Sequence, residues 1–482
     1  MGKDFSFSNV ELVAQAYADY INATETGTDA QNLSLPNDGA AGDLTDNSSA
    51  EPPVIVVGFD RRLQSNEFAR RVAEVLAGNN LKVALFEDAV PTPLVSWTVC
   101  KKNAGGGVVI TASHNPAEFN GFKIKAAWGG SASSDCTRAV ESLIGNSPVR
   151  RNSLTDSGMS VPSRLISEAA ESYRTQLSSY VDLDRICSAQ ATIIIDPMHG
   201  AGGRWVESFL KKRGKLICET VRADGDPNFG GVNPEPIDQN LGVLKSRVKE
   251  TKAVLGLATD GDADRLGAVN ELGQTMTMHE VAPILLLHLA RNRQMTGGVV
   301  RTFSQSVLMK RIAAAHNLPV YETAIGFKYV ADLMLKENIL IGAEESGGIG
   351  LQGHIPERDG ILNSLLLAEA IITAGRAPSE IVREIYREFG EFCYGRIDVK
   401  MDVSKGQDFV EILASSPPPS IDGFQVTGVE TVDGTKLLFA DESWLLFRQS
   451  GTEPLLRIYS EATSQAKKDS LLLAGNLMAS GK

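Results

Sequence analysis

Short apolar, β-branched runs alternate with longer amphipathic stretches along most of this chain. Val54 to Gly58, Lys82 to Phe86 and Val108 to Ile110 read as strands, with helices at Phe68 to Ala77 and 93–103 between them. The order recurs twice. Strands at Thr192 to Asp196, 216–221 and Ala253 to Ala258 alternate with helices at Gly203 to Arg213 and 238–250. Strands at 298–303, 319–323 and Ile339 to Ile341 alternate with helices at 304–316 and 326–337. Such alternation implies parallel sheets. Each round finishes in a polar motif just past a buried strand, the edge at which open α/β sheets bind ligands. Beyond a helix around 379–388 the pattern shortens. Tyr394 to Val403, Val426 to Val432, Lys436 to Phe439 and Trp444 to Arg448 read as strands of a smaller α+β unit, with a Pro417-Pro418-Pro419 loop and a closing helix from Ser464 to Met478. At the other end, 8–21 reads as an amphipathic helix. The Gly/Asn/Asp/Ser/Pro-rich stretch 24–53, without Lys or Arg, reads as a disordered acidic insert, and 145–160 as a polar linker.

Bulk properties narrow the function classes. The 482 residues predict three or four domains at roughly 150 residues each. A net charge of -12 argues against a nucleic-acid or anionic-membrane partner. No apolar run reaches the roughly 18 residues of a membrane span. The five cysteines lack CxxC spacing and read as reduced thiols, which points to a cytoplasmic protein.

Four polar motifs carry candidate chemistry. Thr111-Ala112-Ser113-His114-Asn115-Pro116 follows a buried strand and presents the Ser113 hydroxyl at its carboxyl end, with His114 and Lys123 close by; a solvated polar turn is the competing reading. Asp260, Asp262 and Asp264 alternate along an extended segment, so their carboxylates can converge. Such a cluster calls for a divalent cation, and all-oxygen ligation suits Mg²⁺ or Ca²⁺ rather than zinc. An EF-hand is excluded, because Arg265 stands where that loop needs its glycine. Arg448-Gln449-Ser450-Gly451-Thr452-Glu453, with Arg457 after it, combines guanidiniums, hydroxyls and a glycine, the components of a phosphate site. Surface pairing with Glu453 is the bland alternative. Glu344-Glu345-Ser346-Gly347-Gly348 offers acceptors for a sugar's hydroxyls or a helix-capping turn, and His354 lies in a second polar turn just downstream.

These motifs, in this order, resemble those of the α-D-phosphohexomutase superfamily: phosphoglucomutases, phosphomannomutases and phosphoglucosamine mutases. The resemblance implies a heart-shaped four-domain enzyme with three related α/β domains of mixed sheets and a smaller C-terminal α+β domain. The domains would run 1–150 (phosphoserine loop), 160–272 (metal loop), 273–388 (sugar loop) and 392–482 (phosphate loop). It implies interconversion of hexose 1-phosphate and hexose 6-phosphate, for glucose or mannose, through a phosphoserine and a hexose 1,6-bisphosphate that also serves as activator. Ser113 would carry the phosphoryl group and join Asp260, Asp262 and Asp264 around Mg²⁺. His114 and Lys123 would be catalytic, with Lys123 a general acid/base. Arg448, Ser450, Gly451, Thr452 and Arg457 would hold the second phosphate, Glu344 and Ser346 the sugar, and Arg265, Lys328 and His354 would also face substrate. Hexose phosphates are then the expected partners, with no nucleic acid or membrane, for a monomer or dimer. Family members usually open with a strand and a Gly-Thr-x-Gly-x-Arg-Gly loop supplying a catalytic Arg. This chain begins after that point, which makes a non-catalytic sugar-phosphate binder one alternative; a phosphoglucosamine mutase is the other. A lost N-terminal segment would also leave room for an organelle such as a plastid.

Overall fold

A computed structural model describes residues 5–26, 52–211, 214–451 and 453–481. The chain forms two compact units: Met1–Thr275 with Gly348–Thr373, and Met276–Gly347 with Ala374–Lys482. No single helix among the described residues is long and apolar enough to cross a membrane.

The first unit holds two sheets of the same design. One is built from β1 (Val54–Phe59), β2 (Lys82–Leu85), β3 (Gly106–Ile110) and β4 (Phe122–Lys125), in spatial order β2-β1-β3-β4. The other contains β5 (Thr192–Asp196), β6 (Ile217–Thr220), β7 (Leu255–Thr259) and β8 (Leu266–Asn270), in order β6-β5-β7-β8. The first three strands of each are parallel, and β3 and β7 are buried at every position, as their unbroken apolar runs require. The fourth strand is antiparallel in both, with Ile110 opposite Phe122 and Thr259 opposite Leu266. The sheets are therefore mixed, as the resemblance implies, where the alternation alone points to parallel strands. A parallel return needs a crossover of a dozen or more residues, usually a helix. The segments after β3 and β7 are short and helix-free, so the chain doubles back beside the strand it has left. Both polar motifs of this unit, around Ser113 and Asp260, are therefore the loops of antiparallel hairpins.

The N-terminal helix runs Phe7–Thr26, further than expected, because Thr24 hydrogen-bonds back to the Ile21 carbonyl and Asn22 to that of Asn79. The rest of the expected insert, 27–51, lies outside the described residues. Val10, Ala14 and Tyr17 pack with Phe68, Val72 and Leu76 in one core. Three other expectations shift. The helix at 203–213 contracts to Trp205–Leu210, since Met198, His199 and Gly203 turn through positive φ ahead of it. The 145–160 linker contains a short helix, Leu154–Ser157. The helix Ser163–Tyr180 escaped notice because its sequence is mostly polar; it buries Ala169, Tyr173 and Leu177.

The second unit contains three parallel strands, Gly298–Thr302, Val320–Thr323 and Ile339–Ala343, with the first in the middle. Its C-terminal part is an antiparallel sheet of six strands whose order begins Cys393–Lys400, Leu455–Ala462, Trp444–Gln449. One face of that sheet packs Leu445, Phe447, Leu456 and Ile458 with Leu413 and Leu471 of two helices, Val403–Ser415 and Gln465–Ala479. The former was not foreseen; Asp402 starts it by accepting from the amides of Ser404 and Lys405. Three α/β domains and an antiparallel C-terminal domain make up the fold.

Candidate active site

In the first unit, the β3–β4 and β7–β8 loops meet. Ser113 Oγ donates to Asp260 Oδ2 at 2.8 Å, across 147 residues of sequence. Ser113 is 7 % exposed and sits at φ 53°, a left-handed conformation that a non-glycine residue adopts only when its surroundings impose it. Thr111 Oγ1 accepts from the Ser113 amide at 2.8 Å and donates to Asp60 Oδ2 at 2.7 Å.

The three aspartates are all 0 % exposed, and one carboxylate oxygen from each can be chosen so that the set lies within 4.8 Å of one another. Asp260 Oδ1 accepts from the amides of Asp264 and Arg265, which fixes the loop. Asp262 Oδ2 accepts from Thr92 and from Lys123 Nζ, each at 2.7 Å. Asp264 Oδ2 accepts from Arg358 at 2.7 Å and from Lys123 at 3.4 Å. The second oxygens of Asp262 and Asp264 are buried with no hydrogen-bond partner. Burial, reinforced by the charges of Asp262 and Asp264, pushes the Asp260 carboxyl well above its ordinary range. A hard divalent cation fits this set: all donors are oxygens, two are orphaned, and the carboxylates repel one another without it.

Lys123 is drawn both ways: burial lowers its ammonium, but Asp262 and Asp264 prevail and hold it up at about 12. For His114, burial together with Arg265 and Lys123 lowers the imidazole to about 3, and its Nδ1 is buried without a partner. The Arg265 side chain lies 3.9 Å from Asp264 Oδ1.

His354, expected to face substrate, packs against protein side chains. Its side chain is 1 % exposed, its Nε2 is 2.9 Å from Asp359 Oδ2, and its ring stacks on Trp97 at 5.5 Å between centroids. Tyr173 donates to the same Asp359 oxygen at 2.7 Å. The imidazole is thus packed through its Nε2 and ring face, and its Nδ1 is buried without a hydrogen-bond partner. The segment containing it matters for another reason. Glu357 pairs with the buried Lys125 at 2.7 Å, Arg358 reaches Asp264, and Asp359 takes Tyr173 and His354. Sequence reasoning missed Arg358, Thr92 and Asp60, whose partners are far away along the chain. The only local signal was the density of charge in Glu357-Arg358-Asp359.

In the second unit, Glu344 is buried at 4 % exposure at the end of the strand Ile339–Ala343, and Ser346 follows in a half-buried turn. Ser304 Oγ donates to neighbouring Glu345 at 3.0 Å. Lys328 Nζ lies 4.9 Å from the Tyr329 ring centroid. Arg448 and Arg457 stand opposite each other on adjacent strands. Each has an acidic partner, Asp433 for Arg448 at 2.9 Å and Glu453 for Arg457 at 2.8 Å. The pairing with Glu453 that the sequence offered as the bland alternative is therefore present for Arg457. Ser450 is buried, Gly451 is exposed, and Thr452 lies outside the described residues.

Four models of phosphoglucomutase/phosphomannomutase match in order: alpha/beta/alpha domain I over residues 37–150, domain II over 171–273, domain III over 278–389 and the C-terminal domain over 399–473. The chain is 31 % identical over 443 residues to a phosphoglucomutase/phosphomannomutase of Thermococcus kodakarensis, covering 90 % of this chain and 92 % of that protein. It is 28 % identical to a phosphoglucosamine/phosphogalactosamine mutase of Sulfurisphaera tokodaii, covering 87 % and 89 %. Among solved structures, a Thermus thermophilus protein assigned as a phosphomannomutase superposes with a TM-score of 0.82 at 31 % identity, covering 100 % of this chain and 96 % of that one. With all four domain models matched in order and likeness over most of the chain on both measures, this chain belongs to the phosphoglucomutase/phosphomannomutase family of the α-D-phosphohexomutase superfamily and is a phosphohexomutase.

Proposed function

We propose that this phosphohexomutase interconverts hexose 1-phosphate and hexose 6-phosphate, with glucose or mannose as the sugar, through a phosphoserine at position 113. The observation that carries the reading is the 2.8 Å hydrogen bond from the Ser113 hydroxyl to a fully buried aspartate triad. In the forward direction the phosphoryl group on Ser113 passes to the free hydroxyl of the bound sugar monophosphate. The new P–O bond to the sugar forms as the P–Oγ bond breaks, the sugar hydroxyl gives up its proton, and Ser113 regains one. The resulting hexose 1,6-bisphosphate returns its other phosphate to Ser113 by the same exchange. Phosphoryl transfer depends mostly on positioning and charge stabilisation. Asp260, Asp262, Asp264 and the Ser113 oxygen would hold Mg²⁺, which would supply positive charge at the transferred group. Lys123, which bonds Asp262 and Asp264, is the general acid/base of this reading, and His114 lends an uncharged ring nitrogen that a ligand would satisfy. Arg265, at the end of the aspartate loop, would contact substrate. By the family resemblance, Glu344 and Ser346 would take sugar hydroxyls, Lys328 would contact substrate, and Arg448, Ser450, Gly451, Thr452 and Arg457 would hold the phosphate that is not transferring.

The test is Ser113→Ala. With hexose 1-phosphate and catalytic hexose 1,6-bisphosphate, the variant should form no 6-phosphate and gain no phosphoryl mass, while its melting curve matches the unsubstituted protein. Activity near that of the unsubstituted protein would refute the nucleophile. Glucose, mannose and glucosamine 1-phosphates run in parallel rank the sugars.

A further inference from the structure

The Ser113 loop is gripped from within by one side chain. The Arg62 guanidinium donates through Nη2 to the carbonyls of Ser113 at 2.6 Å and Asn115 at 2.7 Å, and through Nη1 to those of Pro116 at 2.7 Å and Phe119 at 3.1 Å. Its Nε donates to Asp60 Oδ2 at 3.0 Å, and both side chains are 0 % exposed. Asp60 closes the circuit on the other side of the loop. It accepts from Thr111, whose hydroxyl oxygen holds the Ser113 amide, and from Ser65, whose oxygen accepts from Asn120. The ring of Phe229 lies 4.9 Å from the guanidinium and fills the space beside it.

We infer that Arg62 is a positioning residue for phosphoryl transfer at Ser113. It acts through the backbone, and the inference rests on the mutase reading above. A left-handed serine is strained and persists only where neighbours over-determine it. Here the carbonyl of that serine is held by Arg62 and its amide by Thr111. Its Oγ is thereby directed at Asp260. Only a planar fork with five N–H donors can serve four carbonyls and a carboxylate at once; an ammonium has three. Asp60 neutralises the buried charge, so the remaining donors are free for the loop. The grip also decides where the loop stops, since the Ser113 carbonyl abuts Gly261 of the aspartate loop.

The experiment uses the full chain with three substitutions: Arg62→Lys, Arg62→Gln and Thr111→Val. Lysine keeps a cation beside Asp60. Valine keeps the shape of threonine but removes the hydroxyl that joins Asp60 to the Ser113 amide. The readouts are kcat, KM, phosphoryl uptake at Ser113 from hexose 1,6-bisphosphate by intact mass, Mg²⁺ affinity by calorimetry, and a thermal melt. Misplacing a reacting atom by about 1 Å costs about a hundredfold in rate. The expected result is therefore a fall of about that size in kcat and in phosphoryl uptake for Arg62→Lys and Thr111→Val. KM and Mg²⁺ affinity should change little, and Arg62→Gln should be worse than Arg62→Lys. The inference is overturned if both Arg62→Lys and Thr111→Val keep kcat close to that of the unsubstituted protein. It is equally overturned if the loss of activity in Thr111→Val only follows a loss of folded protein, which would make the circuit scaffolding alone. An unsubstituted chain without turnover overturns the mutase reading and this inference with it.

Discussion

Asp262 uses one oxygen twice, for Thr92 and Lys123, and leaves the other buried with no partner. An oxygen in that state is costly unless something cationic completes it. Asp262→Asn keeps the shape and removes the charge, so Mg²⁺ affinity should fall by tenfold or more in a calorimetric titration. An unchanged isotherm would remove the triad from consideration as the cation site. A second residue-level expectation concerns Glu357. Burial raises its carboxyl, but Lys125, then Arg358, prevail and bring it from 4.5 down to about 2. A carboxyl depressed by folding stabilises the protein above its unfolded value, and that contribution is lost as pH falls from about 4.5 through about 2. Glu357→Gln should therefore lower the melting temperature at pH 7 and flatten its fall between pH 5 and 3. Parallel curves for the two proteins would count against it. Ser113 and the three aspartates were legible in the sequence because each motif is contiguous and follows an apolar strand. Arg62 and Arg358 were not, since the Ser113 carbonyl and Asp264 that they touch lie 51 and 94 residues away, and charge density alone does not separate them from surface arginines.

The same contrast holds for elements. The strands before each motif were readable, because β3 and β7 are unbroken apolar runs. The strands after them were harder: Phe122–Lys125 alternates Phe and Ile with two lysines, and its pairing with β3 depends on how little chain separates the two. Yet that return strand fixes both ends of each functional loop by ladder hydrogen bonds. Where the two loops touch, a glycine is required. A Cβ at Gly261 would lie 2.5 Å from the Ser113 carbonyl oxygen and 3.1 Å from Pro234. Neither can yield, because one is held by Arg62 and the other is a ring. Gly261→Ala should cost about 1–3 kcal/mol of stability, the usual range for an overpacked site. It should also reduce Mg²⁺ affinity and kcat together, by separating Ser113 from Asp260. A variant that binds Mg²⁺ and turns over normally would show that the two loops do not depend on close approach.

For the molecule as a whole, the threefold repetition of strands and helices was visible in the hydrophobic pattern. The division into two compact units was not, because residues 348–373 return to the first unit after 72 residues spent in the second. Those residues supply Glu357 to Lys125, Arg358 to Asp264 and Asp359 to Tyr173. A chain ending at Thr275 would leave Lys125, 1 % exposed, buried without its carboxylate. An uncompensated buried charge costs about 3–5 kcal/mol, a large part of a typical domain's stability. We expect that fragment to show no cooperative melt by circular dichroism; a sharp transition would demonstrate a self-sufficient half.

The anchoring of Ser113 has one more consequence. Bolted to the rim of a sheet through its own carbonyl and amide, this serine has no freedom to travel between the two ends of a hexose. In the proposed reaction the anchored party is the enzyme's oxygen, so the sugar has to be the mover, releasing one end and offering the other to the same spot.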